Sequence, residues 1–184
     1  MLVLASTSPR RKALLAELTP NFVIDPATLD ESLFQDAPRA LNRTLAFKKA
    51  EEIIKKHPEA VVLGVDTIVV YQGRILGKPH GTKENLEMLQ LLNGKTHQVY
   101  TSFALLSSKR KVIKTVVSKV TFNFLSEIEL QNYIETFRPF DKAGGYGIQD
   151  QTMPALVKKY RGSYTNIMGL PLEALTKVLK RFTH

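Results

Sequence analysis

The segment Val61-Val62-Leu63-Gly64-Val65-Asp66-Thr67-Ile68-Val69-Val70 constrains this chain more than any other. Branched apolar side chains pack well on a pleated surface and crowd a helix, so Ala60 to Val70 is the most strand-like run present. The turn residues Gln72-Gly73 then suggest a hairpin returning through Arg74 to Leu76. Asp66 breaks the pattern. A bare carboxylate inside an apolar strand is expensive to desolvate, so something must compensate it. A divalent cation or an activated water would do so, and so would hydrogen bonds at a bulge or on a solvent-facing side. Gly64, two residues earlier, allows a ligand or another backbone to approach closely.

The rest of the chain alternates strands and helices. Leu2 to Ala5 reads as a strand and Ser6-Thr7-Ser8 as a loop, followed by a helix with Ser8 as N-cap and Pro9 as first residue. Phe22 to Ile24 suggests a second strand. Asp36 to Lys56 predicts a helix with Leu41, Leu45 and Ile53 on one face, stopped by His57-Pro58. Thr82 to Asn93 is helical on the spacing of Leu86, Leu89 and Leu92, with Gly94 as terminator. Val99 to Leu106 and Val112 to Phe124 read as strands joined by a lysine-rich turn. Ser126 and Glu129 form a capping box, and Leu125 can staple onto Leu130, giving a helix through Phe137. Gly169-Leu170-Pro171 opens a last helix through Leu175, Leu179 and Phe182. Helices interleaved with strands that also form hairpins imply an α/β fold with a mixed, twisted sheet. The 184 residues show no repeat and no linker, which suits a single domain over 1–184.

Composition narrows the chemistry. With no cysteine there is no disulfide framework, thiolate metal site or cysteine nucleophile. No apolar run is long enough to span a bilayer and Met1 to Ala5 is not a secretory leader, so a cytoplasmic location is the expectation. Lys+Arg 26 against Asp+Glu 17 gives a net charge of +9, which points to an anionic partner without choosing among polyphosphate, nucleic acid and membrane surface.

The loop Ser6-Thr7-Ser8 offers the best phosphate site. It brings free backbone N–H groups, hydroxyls and a helix N-terminus to one place. Arg10, Arg11 and Lys12 add charge in a first helical turn, where cations oppose the macrodipole unless an anion sits there. The plainer reading is a capped helix with a solvated basic face. Asp30-Glu31 is a solvated acidic turn taken alone, but with Asp66 it supplies the oxygen ligands that magnesium prefers. Lys49 falls inside the apolar stripe of its helix, and either snorkels past the core or reaches a cleft to bind phosphate. Two nucleotide motifs fail on spacing. Leu89 stands where a Walker loop ending in Gly94-Lys95-Thr96 needs glycine, and Asp150 stands where a dinucleotide fingerprint over Gly144-Gly145-Tyr146-Gly147 needs its last one. The glycine cluster reads instead as a mobile or ligand-hugging loop. His57, His80, His97 and His184 lack metal-ligand spacing and read as surface residues.

Several separated blocks resemble the Maf family, the septum-formation inhibitor proteins that are nucleoside triphosphate pyrophosphatases. Leu4-Ala5-Ser6-Thr7-Ser8-Pro9-Arg10-Arg11 is similar to the family's opening motif, and Gly64-Val65-Asp66-Thr67 to the block whose aspartate is regarded as proton acceptor. Gly77-Lys78-Pro79, Asp141-Lys142-Ala143-Gly144-Gly145-Tyr146-Gly147-Ile148-Gln149 and Gly169-Leu170-Pro171-Leu172 complete the set. The Asp-Lys-Ala-Gly opening with Tyr146 and Gln149 resembles the branch acting on dTTP and UTP, not those acting on 7-methylguanosine or cytidine nucleotides. In that branch the base-selecting residues map to Arg11, Thr67 and Gln149. After Gln149 the chain departs, with Asp150-Gln151 in place of the family's glycine-containing continuation. The resemblance implies a mixed sheet bent into two lobes with the nucleotide in the cleft between them, as in inosine triphosphate pyrophosphatases, and a homodimer.

It also implies hydrolysis between the α and β phosphates, as a house-cleaning of nucleotide pools. In this reading Asp66 deprotonates water and, with Glu31, contacts Mg2+ or Mn2+. Ser6, Arg10, Arg11, Lys49 and Lys78 hold the triphosphate. The rival is a basic nucleic-acid-binding protein, motivated by the six basic and no acidic residues between Glu87 and Glu127. Against it stands the lack of any binding module or aromatic platform. A regulatory partner in cell division is a third reading, suggested only by the family's name.

Overall fold

A computed structural model describes residues 1–182, so His184 lies outside the described residues. The central strand forms as its composition demands, as β3 (Val61–Tyr71), after β1 (Leu2–Leu4) and β2 (Val23–Ile24). It turns at Gln72 and Gly73, both at positive φ, into β4 (Arg74–Leu76). Then come β5 (Thr96–Leu106), β6 (Lys111–Phe122) and β7 (Val157–Arg161). The sheet runs β2-β1-β3-β5-β6-β7, with β4 attached to β3. Its β1 contacts are parallel and those among β3 to β7 antiparallel, so the sheet is mixed as the pattern implied.

The helices are α1 (Pro9–Leu18), α2 (Pro38–Ile54), α3 (Thr82–Leu92), α4 (Glu127–Phe137), α5 (Tyr164–Met168) and α6 (Leu172–Phe182). Ser8 caps α1 through its side chain, Pro38 sets the start of α2, and the capping box of α4 closes in both directions. Leu125 and Leu130 share one core. β6 stops two residues before the expected Phe124. Asn123 there donates to Leu156 O and to Ala155 O, and Phe124 is left exposed.

Three apolar clusters divide the molecule. Leu63 and Val65 of β3 pack with α1 and α6 on one face. Val62 packs with Ala50 and Ile53 of α2 on the other. Further along, Val69 joins Leu89, Leu92, Phe122 and Ile134 in a second lobe built on α3 and α4. Between the lobes the strands turn polar: Asp66 lies opposite Ser102 and Ser102 opposite Thr115, while Thr67 lies opposite Thr101. β1 covers β3 only at Val61–Leu63, and β4 covers the same edge only at Val69–Tyr71. Residues 64–68 therefore have a strand beside them on one side only, and this bare edge is the cleft.

Gly64 fits where it does because α2 lies directly on it. A Cβ there would stand 2.7 Å from the backbone N of Ala50 and would also strike the carbonyl of Ala46. Of the two reasons for a glycine in this strand, close approach of another backbone is the one realised.

Candidate active site

Successive residues of a strand face opposite ways, so Asp66 and Thr67 present chemistry to opposite faces of the bare edge. On the α1 face, Arg11 binds three acceptors: its Nε donates to Gly169 O at 3.1 Å and its two terminal nitrogens to Ser6 Oγ and Thr67 Oγ1, each at 3.1 Å. Thr67 in turn shares a 3.0 Å hydroxyl contact with Thr101. Burial lowers the Arg11 pKa from its ordinary value. The negative charges of Asp66 and Glu31 oppose that shift, and neighbouring Arg10 adds to it. A guanidinium cannot shed its proton in a protein, so this corner is a fixed cation in need of an anion. Arg10 reaches across to Asp141 Oδ2 at 2.6 Å.

Arg10, Arg11, Thr67, Lys78 and Gln149 all line one cavity of about 600 Å³, its open mouth included, between the lobes. Asp141, Lys142, Tyr146 and Gly147 complete its wall, so the glycine cluster hugs this space. Gly144 and Gly145, both at positive φ, pack against Val69 and Asn85. Ser6 stands behind the cavity as an anchor for Arg11. Gln149 Oε1 is buried and has no hydrogen-bond partner among the described residues.

On the α2 face, Asp66 is 4% exposed. Its Oδ2 accepts from Asn42 Nδ2 at 2.8 Å and its Oδ1 from Lys49 Nζ at 2.7 Å. Lys49 Nζ also lies 2.7 Å from Glu31 Oε1, which the short 3₁₀ turn Glu31–Leu33 delivers. Lys49 therefore neither snorkels outward nor lines the cavity; it sits between two carboxylates, and Asp66, Lys49 and Glu31 all stand outside the cavity lining. The compensation that Asp66 requires is thus supplied by an amide and an ammonium. Asn42 is itself fixed by Ser102, whose hydroxyl donates to its Oδ1 at 2.5 Å and contacts Thr115 at 2.8 Å.

The two carboxylates suit a hard cation. Both reach one ammonium, so their oxygens converge on a single cation-sized position. Magnesium is held by one or two carboxylates together with substrate phosphates. Among the described residues no group of three or more His, Asp or Glu side chains could cage a metal, so phosphate and water would have to complete the shell.

Asn42 was not singled out in the sequence, and Asp141 and Lys142 entered only as the opening of the glycine-cluster block, without a role of their own. Asn42 is seven residues before Lys49 and so shares its helix face, a polar pair along one stripe that could have exposed it. His97 is a correction: expected on the surface, it is 1% exposed, because Phe122 and Tyr146 close over it edge-on. Its Nε2 meets the Tyr146 hydroxyl at 2.7 Å, beneath the cavity wall. Burial lowers its pKa from 6.5 to about 4. Below pH 6.5 the unfolded chain takes up a proton that the folded chain refuses, so stability falls as the pH drops toward 4, by on the order of 3 kcal/mol. Thermal unfolding between pH 7 and pH 4 should show this decline, and His97→Gln should flatten it.

None of the six basic residues between Glu87 and Glu127 lines the cavity. No helix among the described residues is long and apolar enough to cross a membrane.

Known proteins resemble this chain over nearly its whole length. A protein of Bacillus cytotoxicus called dTTP/UTP pyrophosphatase is 44% identical over 98% of this chain and 94% of its own. Proteins of the same name from Syntrophus aciditrophicus and Acholeplasma laidlawii are 43% and 41% identical, over 97% and 99% of this chain and 88% and 96% of theirs. Among solved structures, the Ham1 protein of Staphylococcus aureus matches 66% of this chain and 71% of its own at 13% identity, with a TM-score of 0.45, too slight a likeness to build on. The family model for Maf-like protein matches residues 1–182. The chain belongs to the Maf family.

Proposed function

We propose that the protein hydrolyses nucleoside triphosphates between the α and β phosphates, releasing the monophosphate and pyrophosphate, with dTTP and UTP as substrates. The observation that carries this reading is the bare edge of β3, where a cation corner on one face meets a buried carboxylate on the other. Relatives 41–44% identical over nearly the whole chain, named for that activity, support it.

The cavity takes the base. The orphan Gln149 Oε1 needs an N–H donor, which the ring N3–H of thymine and uracil supplies and the unprotonated N3 of cytosine does not. Arg10, Arg11 and Lys78 hold the triphosphate and offset the charge that builds on departing pyrophosphate. Ser6 and Thr67 keep Arg11 in place. Asp66, held by Asn42, orients the attacking water across the edge and takes its proton, with Lys49 balancing the charge. Asp66 and Glu31 would hold a Mg2+ or Mn2+ ion once Lys49 Nζ gives up the position between them, and the ion would supply polarisation of the phosphoryl oxygens. A homodimer, as the family resemblance implies, is part of the proposal.

A screen of canonical and modified triphosphates that separates pyrophosphate from orthophosphate release tests the reaction. Pyrophosphate with the monophosphate is the expected pair, fastest with dTTP and UTP. Orthophosphate as first product would overturn the bond assignment, and a preference for purines the base assignment.

A further inference from the structure

Asp150 stands behind the cavity wall, next to the lining residue Gln149 and in contact with the lining residues Gly147 and Lys142, yet the reaction above does not use it. Its side chain is 8% exposed, and a carboxylate so placed needs partners. Three donors surround Oδ2: the Tyr133 hydroxyl at 2.6 Å, the Gly147 amide at 3.0 Å and Lys142 Nζ at 3.5 Å. Tyr133 comes from the buried side of α4, 2% exposed, and its oxygen also accepts from Gly147 N at 3.0 Å. Burial and the adjacent carboxylate push the Tyr133 phenol's pKa up, so it stays a donor. The Asp150 backbone N–H closes the turn onto Gly147 O at 3.1 Å. A Cβ at Gly147 would stand 2.8 Å from both Asp150 carboxylate oxygens, so a side chain there would push the carboxylate out of place.

One carboxylate thus pins both ends of the turn that carries Gln149. It also holds Lys142, which is 13% exposed and lines the same cavity. The other carboxylate near Lys142 among the described residues, Asp141 at 3.9 Å, is itself held by Arg10 at 2.6 Å.

We propose that Asp150 is a positioning residue for base selection: it fixes the Gly147–Asp150 turn so that the Gln149 amide offers its acceptor to the pyrimidine N3–H, and it keeps Lys142 at the cavity wall. The proposal deepens the function stated above and rests on it.

Asp150→Ala, Asp150→Asn and Tyr133→Phe separate the parts. Asparagine keeps an oxygen for Tyr133 and Gly147 but loses the charge that holds Lys142. Alanine loses both. In Asp150→Ala the dTTP over dCTP ratio of kcat/KM falls by about 10- to 100-fold, mainly through KM for dTTP. Asp150→Asn keeps most of the ratio and raises KM for both nucleotides alike. Tyr133→Phe, which spares the carboxylate, shows a smaller fall in the ratio and serves if the alanine variant does not fold. A merely structural role lowers Tm without moving the ratio. An unchanged ratio in both Asp150→Ala and Tyr133→Phe overturns the proposal. Calorimetric binding of α,β-imido analogues of dTTP and dCTP is read in parallel. If the wild-type chain binds them selectively but turns over no triphosphate, the reaction fails while the binding ratio still judges Asp150. If it binds neither, or both equally, the Asp150 proposal falls as well.

Discussion

Replacing Asp66 with asparagine lowers kcat by a factor on the order of 10²–10⁴, the usual contribution of a positioned general base. The side chains are nearly isosteric, so the change removes the proton acceptor and little else. Asn42 and Lys49 both donate to this carboxylate, however, and an amide can accept from only one of them while its own N–H₂ faces the other. One donor is left unsatisfied in a buried position, which costs about 1–3 kcal/mol. Lys49 retains Glu31, so the chain still folds. The expected result is a lowered Tm, a native circular dichroism spectrum and a collapse of turnover at saturating substrate. Turnover like that of the unaltered chain would remove Asp66 from the reaction.

Gly64→Ala has the larger effect on stability. The added methyl meets main-chain atoms of Ala46 and Ala50, and it approaches Ala50 Cβ to 2.8 Å, so no rotamer change relieves it. Helix and strand must separate, at about 3 kcal/mol or more, the upper range for overpacking. Because α2 carries both Asn42 and Lys49, its displacement also releases Asp66. Chemical denaturation should show a lower midpoint, and the folded fraction should have reduced turnover. An unchanged midpoint would mean that α2 does not bear on β3 as described.

Much of this was legible in the sequence because its signals are local. The capping box of α4, Pro9 at the start of α1 and the Gln72-Gly73 turn act within a few residues, and each formed where expected. Asp66 stood out because its own strand gave it no company. The polar row that accommodates it did not stand out, since Ser102, Thr115 and Thr101 meet Asp66 and Thr67 only through strand register, which no single segment records. β7 was missed because Val-Lys-Lys-Tyr-Arg carries too little apolar character to read as a strand. α5, only five residues long, cannot show a helical period. His97 looked superficial because the residues that enclose it, Phe122 and Tyr146, come from distant parts of the chain. The tie between Lys49 and two carboxylates needed the position of Glu31, set by a turn whose apolar residue, Leu33, is exposed and leaves no pattern.

The two margins of the sheet bear on how the chain resists fibrous self-association. At one margin β2 offers only two residues, too few ladder bonds for a foreign strand to gain purchase. At the other, exposed Lys158, Lys159 and Arg161 line β7, so a like strand laid alongside would set cation against cation. Amyloid-type stacking is therefore discouraged at both ends, the unpaired edge of β3 over residues 64–68 is turned into the cleft, and the unpaired edge of β6 over Lys111–Ser118 carries the exposed Lys111 and Lys114.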